Sequence, residues 1–431
     1  MTDIKERLID SNPWWKGNFE LEFKDRDVYS RLQKFFRTPQ MLALTGLRRV
    51  GKTTLMKKLA LDFIHDGNGN KGGMDPKNVV YFSFDDSQAI GPRDVITEYE
   101  RLTGKDVKTG RHLILFDEVQ KLTNWEEKIK IIYDVFGKNA KIIVSGSESL
   151  FIRKKSRESL AGRIFEFKVE PLTFREFLAF KGDSCHVNGA AIYEKELLKL
   201  FNEFVRTAGF PELMGVKEKD VTRKYLKDGI VDKIIYKDIP KLFNVKDPSI
   251  LESLLNVFME EPGQIVELSA LASELNISRQ TVSIYLTYLE QSFLVRKLYN
   301  FSTNRRKIER KLKKYYPAVP SVDLAFREDD YSKSRVFECF LINQMGAEFF
   351  WRDAYKNEVD AVKITAEGAI LPFEIKYGNV KTEGLYAFMK QFKAKTGFIL
   401  SYDREDTIKA AGKGEIRVVP AYKFLLEQRP G

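Results

Sequence analysis

The sequence predicts an α/β protein in four parts: a parallel α/β domain, a helical region, a small helix-and-strand domain and a second α/β domain. From residue 41 to about 170, short apolar runs alternate with amphipathic stretches, which is typical of a sheet with helices packed on it. The pattern then becomes helical, and helix and strand alternate again towards the end of the chain. We therefore predict domains over residues 1–170, 171–250, 251–317 and 318–431.

Four apolar runs predict the strands of the first domain. Each is apolar almost throughout, as expected where a parallel sheet is buried on both faces. The runs cover residues 41–45, 79–84, 112–116 and 141–145. In the helical region, residues 173–180, 194–207 and 224–236 have the apolar spacing of helices.

The composition limits the partners and the metal chemistry. Lys and Arg number 72 against 61 Asp and Glu, and this net charge of +11 favours DNA or another polyanion, although thermophile surfaces are also rich in charge. No apolar run approaches the roughly 18 residues of a membrane helix. The N-terminus has no signal-peptide pattern, so we expect a cytoplasmic protein without a membrane partner. With 2 Cys and 3 His, any metal that the chain binds should be a hard, oxygen-ligated one such as Mg²⁺.

Residues 46–53 fit the phosphate-binding pattern G-x-x-x-x-G-K-[ST], between a predicted strand and a predicted helix. Glycines let the backbone wrap a phosphate, and backbone N–H groups at the start of the helix face its charge. We expect Lys52 to reach the β- and γ-phosphates and the Thr53 hydroxyl to ligate Mg²⁺. The sequence thus predicts a P-loop that binds ATP and Mg²⁺. The residues expected at the nucleotide are Gly46, Leu47, Arg48, Arg49, Val50, Gly51, Lys52, Thr53 and Thr54.

An acidic pair, Asp117 and Glu118, ends the third predicted strand. The carboxyl ends of parallel strands share one edge of the sheet, so the pair should face the P-loop. We expect Asp117 to hold Mg²⁺ through water and Glu118 to polarise the attacking water. A strand that simply ends in surface acids is the structural alternative.

Two further groups are candidates for phosphoryl transfer. Ser145, with Ser147 as the alternative, follows the fourth predicted strand and can sense the γ-phosphate or position water. A serine that only caps the strand end is the other interpretation. Arg163 can neutralise charge that develops during transfer. It could act in its own chain or in a neighbouring one, which requires a homo-oligomer, or be an ordinary surface arginine.

Several ordered segments resemble an archaeal and bacterial ATPase family of AAA-type (STAND-like) P-loop proteins. They are the Asn12-Pro-Trp14-Trp15 segment, GLRRVGKTT, LILFDE, IIVSGSES and AGRIFEFKVEPLTFREF, and the likeness covers about residues 10–240. The resemblance implies an ATP-driven switch with a helical lid after Pro171. Trp14 and Trp15 should pack on the ATPase core. The segment 208–212 also resembles a recurrent family segment whose role stays open.

Residues 268–299 follow helix-turn-helix logic. A helix over 268–275 and a turn precede Ser278, which can cap a helix over 279–290, and a strand follows over 293–299. The segment resembles the winged helices that follow the ATPase in this family. Buried residues of the second helix should be Val282, Leu286 and Leu289. Candidates for DNA contact are Arg279, Gln280, Ser283 and Tyr285, with Lys307, Arg310, Lys311 and Lys313 on the wing. The alternative is an intramolecular lid that touches no DNA.

A carboxylate–lysine pattern marks the last domain. Glu374 and Lys376 share one face of a predicted strand, and Asp360 can reach Glu374 across a hairpin. Asp360 and Glu374 are the expected metal ligands, Glu338 on a helix over 335–345 could complete the cluster, and Lys376 would activate water. A weak further candidate is Gln391.

This last arrangement resembles the PD-(D/E)xK restriction-endonuclease-like superfamily, with Val359 in place of the proline. Residues 315–425 also look like the C-terminal domain often joined to this ATPase family. The resemblance implies a Mg²⁺-dependent nuclease fold. A retained fold that binds DNA or protein, with carboxylates merely paired to lysines, is the alternative.

Two functions follow, from different classes. The first is an ATP-hydrolysing AAA-type ATPase that acts on DNA through the winged helix and a nuclease-like domain. The second is a nucleotide-controlled signalling or scaffold switch that binds a protein partner and whose nuclease-like domain is inert. A third, weaker hypothesis is an ATPase that belongs to a mobile element or a defence system.

Overall fold

The computed structural model describes residues 4–17, 19–66, 73–85, 90–147, 159–183, 192–304, 308, 312–320, 322–409 and 414–428. The chain forms two compact units, Met1–Pro171 and Leu172–Gly431. Among the described helices, none is both long enough and apolar enough to cross a membrane.

A five-stranded parallel sheet forms the centre of the first unit. Its strands are β1 (Met41–Thr45), β2 (Val79–Ser83), β3 (His112–Asp117), β4 (Ala140–Gly146) and β5 (Ile164–Lys168). They lie in the order β2-β3-β4-β1-β5, and each neighbouring pair is parallel. The predicted parallel α/β sheet is confirmed. The fifth strand was missed because it lies at the edge, where only Phe167 of its five residues is buried and the apolar run is broken.

The helices of the first unit pack on this sheet. They are α1 (Ile4–Ser11), α2 (Asp27–Phe36), α3 (Lys52–Asp66), α4 (Pro92–Thr103) and α5 (Trp125–Phe136), with short 3₁₀ turns at Pro13–Lys16, Pro76–Asn78 and Val119–Lys121. Helix α3 follows the P-loop. Its residues Leu55, Leu59 and Phe63 recur every four positions and are 1%, 2% and 3% exposed, as the predicted amphipathic helix requires.

The segment before α2 covers the edge strand β2. Asn12 pairs with the backbone of Tyr81 in both directions, at 2.9 Å as donor and 2.7 Å as acceptor. The indole N–H groups of Trp14 and Trp15 both donate to the Val79 carbonyl, at 3.2 and 2.8 Å. The expectation that both tryptophans pack on this domain is confirmed, and their contacts satisfy backbone groups that an edge strand would leave open.

A nine-stranded mixed sheet forms the centre of the second unit. Its strands are β6 (Ile265–Val266), β7 (Val295–Asn300), β8 (Lys313–Pro317), β9 (Phe349–Arg352), β10 (Glu358–Ile364), β11 (Ile370–Lys376), β12 (Thr396–Ser401), β13 (Asp406–Lys409) and β14 (Glu415–Pro420). The order is β13-β14-β12-β11-β10-β9-β7-β8-β6. Strand β7 pairs in parallel with β9 through Tyr299 and Phe349. The strands of the predicted winged helix therefore continue the sheet of the last α/β domain.

Eleven described helices accompany this sheet. They are α6 (Phe174–Lys181), α7 (Glu194–Thr207), α8 (Lys219–Leu226), α9 (Ile239–Phe243), α10 (Ser249–Glu260), α11 (Leu268–Glu274), α12 (Arg279–Gln291), α13 (Val322–Ala325), α14 (Asp330–Met345), α15 (Glu383–Phe392) and α16 (Ala421–Glu427). Short turns lie at Pro211–Leu213, Lys227–Val231 and Ile234–Asp238, the last two of the π type.

The first helices after Pro171 do not form a separate lid. Phe174 and Phe177 of α6 and Phe204 of α7 belong to one buried cluster with Phe340 of α14 and Tyr422 of α16. The rings of Phe204 and Phe340 lie 5.0 Å apart, edge to face. Residues 171–250 are largely helical as predicted, but α6 and α7 are part of the core of the second unit. The apolar stripe of each helix predicted that one face is buried but not which domain that face packs against.

The segment 208–212, whose role was open, closes α7. Ala208 and Gly209 adopt positive φ values of 50° and 71°. The Gly209 carbonyl accepts a hydrogen bond of 2.8 Å from the Leu172 amide. A Cβ at Gly209 would lie 2.8 Å from the Leu172 carbonyl oxygen, so glycine permits this close approach.

Candidate nucleotide site and carboxylate cluster

The P-loop leaves the carboxyl end of β1 and enters α3. Gly46 and Gly51 have φ values of 144° and 96°, which favour glycine. A Cβ on Gly46 would lie 2.2 Å from the Val169 carbonyl oxygen. The buried ammonium of Lys52 donates to the carbonyls of Gly46 and Leu47, at 3.0 and 2.8 Å. The loop thus holds a positive charge inside its own curve.

Asp117 lies at the carboxyl end of β3, opposite the P-loop. Its Oδ2 accepts hydrogen bonds of 2.7 Å from the Thr53 hydroxyl and 2.7 Å from the Tyr81 hydroxyl. Its Oδ1 accepts from the Ser145 hydroxyl and, at 3.1 Å, from the Glu118 amide. Asp117 is 3% exposed, so these donors replace water around the carboxylate. The structure therefore brings Thr53, Asp117 and Ser145 together.

Glu118 adopts the left-handed conformation with φ 56° and turns into the same site. Burial raises the pKa of its carboxyl above the ordinary value, although the ammonium of Lys52 opposes the shift. The Gln120 amide donates to Oε2 of Glu118 at 2.5 Å and to the Ser147 hydroxyl at 3.0 Å. Ser145 thus contacts one acid directly, and Ser147 reaches the other through Gln120.

The remaining loop residues differ in exposure. Leu47 and Val50 are buried, Arg48 is half-buried, and Arg49, Thr53 and Thr54 are exposed. Arg49 has a positive φ of 64°.

Arg163 lies away from these groups. It directly precedes β5, which pairs with β1 from Met41 opposite Ile164 to Thr45 opposite Lys168. The P-loop follows Thr45 at the carboxyl ends of the strands, so Arg163 lies at their amino ends, about 17 Å away over the five residues from Arg163 to Lys168. Its guanidinium lies 3.2 Å from Asp134. An own-chain role does not fit this position, and the role in a neighbouring chain and the ordinary surface arginine both stay predictions.

Three residues around the P-loop were missed by sequence reasoning. Tyr81 lies inside an apolar run, where a tyrosine gives no sign beyond core packing. Gln120 follows Glu118 by two residues, and this closeness in sequence was the one indication that its amide could reach the Glu118 carboxylate. The Arg26 guanidinium is 7% exposed and donates to the carbonyls of Val50 at 3.0 Å and Glu170 at 2.8 Å, which braces the loop from outside.

A second cluster of charges lies in the second unit. The Lys376 ammonium is 3.6 Å from Asp360 and 3.5 Å from Glu374. Oδ2 of Asp360 accepts a hydrogen bond of 2.8 Å from the Ile375 amide, and the Asp360 amide donates to Glu374 at 3.3 Å. The three residues expected to meet on adjacent strands do meet.

Strand β8 contributes two further groups to this cluster. The buried Lys314 ammonium lies 2.5 Å from Glu358 and 4.0 Å from Asp360. The Tyr316 hydroxyl donates to Glu338 at 2.8 Å. Sequence reasoning missed both, because it assigned β8 to a different domain.

Burial and neighbouring charges set the protonation of the cluster. Burial, assisted by the charge of Asp360, raises the pKa of Glu374 to about 9 and raises that of Glu338. Burial also acts on Asp360, but the ammonium groups of Lys376 and Lys314 hold the pKa of Asp360 below its ordinary value. Among the described residues, no group of three or more Asp, Glu, His or Cys side chains is arranged to hold a metal. The carboxylates are matched by lysines instead.

The helix-turn-helix segment has the predicted local structure. The Ser278 hydroxyl accepts a hydrogen bond of 3.0 Å from the Thr281 amide and caps α12. The predicted inner residues Val282, Leu286 and Leu289 are buried. Arg279, Gln280 and Ser283 are exposed, whereas Tyr285 is half-buried and stacks on Tyr288. Of the predicted wing cations, Lys307, Arg310 and Lys311 lie outside the described residues, and Lys313 is half-buried beside Tyr299.

Three stretches of the chain match known domain families. Residues 38–178 match an AAA domain, which implies ATP binding and hydrolysis at a P-loop. Residues 198–320 and 335–424 match two domains of unknown function, DUF8612 and DUF4143.

Curated relatives carry no assigned function. An uncharacterized protein of Methanocaldococcus jannaschii is 28% identical over 68% of this chain and 64% of its own length. One of Haemophilus influenzae is 27% identical over 61% of this chain and 63% of its own length. The chain thus spans less than two thirds of either relative. A second Methanocaldococcus jannaschii protein is 23% identical over 90% of this chain and 85% of its own length.

Among solved structures, the chain is similar to the Aeropyrum pernix ORC1 protein in complex with DNA. The identity is 14%, the match covers 71% of this chain and 92% of the other, and the TM-score is 0.31. The Cdc6p structure from Pyrobaculum aerophilum has 10% identity, covers 76% of this chain and 97% of the other, and gives a TM-score of 0.31. Scores this low carry no argument about function.

Proposed function

We propose that this protein hydrolyses ATP with Mg²⁺ in its first unit and uses the reaction to act on DNA. The observation that carries the ATPase is the 2.7 Å hydrogen bond between the Thr53 hydroxyl and Asp117, beside the buried Lys52. A hydroxyl and a carboxylate placed together are the oxygen donors that Mg²⁺ prefers. The AAA domain match supports the same chemistry.

Each residue of the site has a defined task in this proposal. Lys52 turns from the carbonyls of Gly46 and Leu47 to the β- and γ-phosphates, where it compensates their charge. Thr53 and Asp117 hold Mg²⁺, which when bound neutralises phosphate charge. The backbone N–H groups of the loop orient the phosphates.

Glu118 serves as the base for the attacking water. Its buried carboxyl has a raised pKa and so accepts a proton more readily than an exposed glutamate. The Gln120 amide fixes one of its oxygens, which leaves the other free to orient water. The Ser145 hydroxyl, on β4, donates a hydrogen bond to Oδ1 of Asp117 and so orients that carboxylate.

Phosphate release tests the ATPase. We expect Lys52→Ala to reduce turnover by at least a hundredfold. Lys138→Ala removes an exposed lysine that follows α5 and should leave turnover unchanged. Equal turnover of wild type and Lys52→Ala would overturn the assignment.

The DNA part of the proposal rests on charge and on the helix-turn-helix segment. The net charge is +11, and α12 exposes Arg279, Gln280 and Ser283 from a Ser278-capped start. Because phosphate contacts release counterions, duplex binding should weaken steeply with salt. Fluorescence anisotropy with a labelled duplex at several salt concentrations measures this. Absence of binding at low salt would contradict the DNA part and leave the ATPase intact.

A second candidate function is a nucleotide-controlled switch that binds a protein and whose nuclease-like domain is inert. The pairing of Lys376 and Lys314 with Asp360 favours it, because ammonium groups occupy the space around the expected metal ligand. Incubation with plasmid DNA and Mg²⁺ or Mn²⁺ separates the two. Cleavage that disappears in Asp360→Ala and in Lys376→Ala would establish a nuclease and overturn the hypothesis that the nuclease-like domain is inert.

A further inference from the structure

One face of helix α7 carries a regular row of polar side chains. Its positions recur at intervals of four, three and four residues, so they form a single stripe along the helix. The row consists of Lys195, Lys199, Asn202 and Arg206, all exposed. The opposite face is fixed in the core of the second unit by Leu197, Phe201 and Phe204, each 0% exposed. The stripe is therefore held rigidly at the surface.

The stripe borders a shallow, open depression in the surface. Together with Leu198, its four side chains border a concave space of about 530 Å³. Asn202 is fixed in this wall by the Tyr402 hydroxyl, which accepts from its amide nitrogen at 2.8 Å and donates to its amide oxygen at 3.1 Å. We call this feature the basic groove.

Most acids of α7 point to lysines outside the groove. Glu194 lies 2.8 Å from Lys423, and Glu203 lies 2.6 Å from Lys181. Within the described part of the chain, Lys195, Lys199 and Arg206 make no ion pair. Glu196 is the remaining acid of the helix, so the basic groove keeps a net positive charge. Among the described residues no carboxylate neutralises this charge, so an anionic partner would bind here favourably.

The lining favours nucleic acid over an acidic protein. Along the helix axis, Lys195 and Lys199 are separated by about 6 Å and Lys199 and Arg206 by about 10 Å, so the three cations cover a length that several successive phosphates of one strand occupy. Among the described lining residues, Leu198 is the one apolar side chain, and the other apolar surface comes from the stems of the basic side chains. Protein interfaces have an apolar and aromatic centre, whereas DNA interfaces are polar and strongly positive. The basic groove, with three cations and one amide, resembles a DNA interface in this respect.

We propose that the basic groove binds the phosphate backbone of duplex DNA, as a contact surface separate from the helix-turn-helix segment. The proposal rests on the DNA part of the proposed function. It predicts binding without base specificity, because contacts to phosphates carry no sequence information.

The test compares two triple variants of the full chain by fluorescence anisotropy with a labelled duplex over a range of salt concentrations. The first, Lys195→Gln with Lys199→Gln and Arg206→Gln, neutralises the groove. The control, Lys390→Gln with Lys393→Gln and Lys395→Gln, removes the same charge from exposed positions at the end of α15 and after it. Circular dichroism of both variants checks that their overall helix content equals that of wild type.

We expect the groove variant to bind about tenfold or more weakly. The slope of log affinity against log salt should fall by about 2 to 3, since each phosphate contact contributes about 0.9. The control should retain the wild-type slope. Equal losses of affinity in both variants, or no loss in the groove variant, would show that the basic groove is not a DNA-binding surface, while the proposed DNA function would stand. If wild type binds no duplex at low salt, the DNA function and the groove fall together.

Discussion

The ammonium of Lys314 on β8 lies 2.5 Å from a carboxylate oxygen of Glu358 on β10, and this pair joins two parts of the sequence predicted as separate domains. The Lys314 side chain is 5% exposed and also approaches Asp360 and the ring of Phe350. A buried ammonium without carboxylate partners would be strongly unfavourable. The pair therefore connects a strand of the helix-turn-helix segment to the carboxylate cluster within one sheet.

Lys314→Met should destabilise the second unit by about 1.5 to 3 kcal/mol, because it removes a buried charged donor while Asp360 keeps Lys376 at 3.6 Å and Glu358 keeps Arg352 at 3.4 Å. Lys356→Met, at an exposed position, is the matched control and should change stability by about 0.5 kcal/mol or less. Urea unfolding of both variants measures the difference. Equal midpoints for Lys314→Met and wild type would show that the buried pair is dispensable.

Tyr81→Phe should lower ATP turnover about tenfold while the fold is retained. The substitution removes only the hydroxyl that donates to Asp117, and a hydrogen bond to a charged group contributes about 1.5 to 3 kcal/mol. Tyr99→Phe is the control, since its hydroxyl contacts the Lys77 carbonyl and His112 and no residue of the P-loop. If both variants turn over ATP equally, Tyr81 does not position Asp117.

The pH dependence of turnover should report Glu118. Burial raises the pKa of its carboxyl above the ordinary 4.5, so the group stays protonated at a pH where an exposed glutamate is ionised. A base must be ionised to act, and turnover should therefore decline on the acidic side at a pH above 4.5. Glu118→Gln should reduce turnover by about 10² to 10⁴ and remove this decline. An acidic limb that persists in Glu118→Gln would assign it to another group.

Local patterns predicted the nucleotide site better than the arrangement of the second unit. The P-loop, the acids at 117–118 and the Ser278 cap depend on residues close in sequence, and the strand–loop–helix order fixes where they lie. The pairing of Tyr299 with Phe349 joins positions fifty residues apart, and periodicity carries no signal for it. For the same reason the sequence pattern does not indicate that Lys314 lies near Asp360, forty-six residues further along the chain.

Arg163→Ala should leave ATP turnover unchanged when the protein is diluted to a monomer. Arg163 contacts Asp134 at the amino ends of the strands, opposite the P-loop, so it has no path to the phosphates of its own chain. Turnover measured over a series of protein concentrations, alongside light scattering, tests this. A role in a neighbouring chain would appear as wild-type turnover that rises with self-association and an Arg163→Ala turnover that does not. A loss of turnover in the monomer would contradict the placement of this arginine.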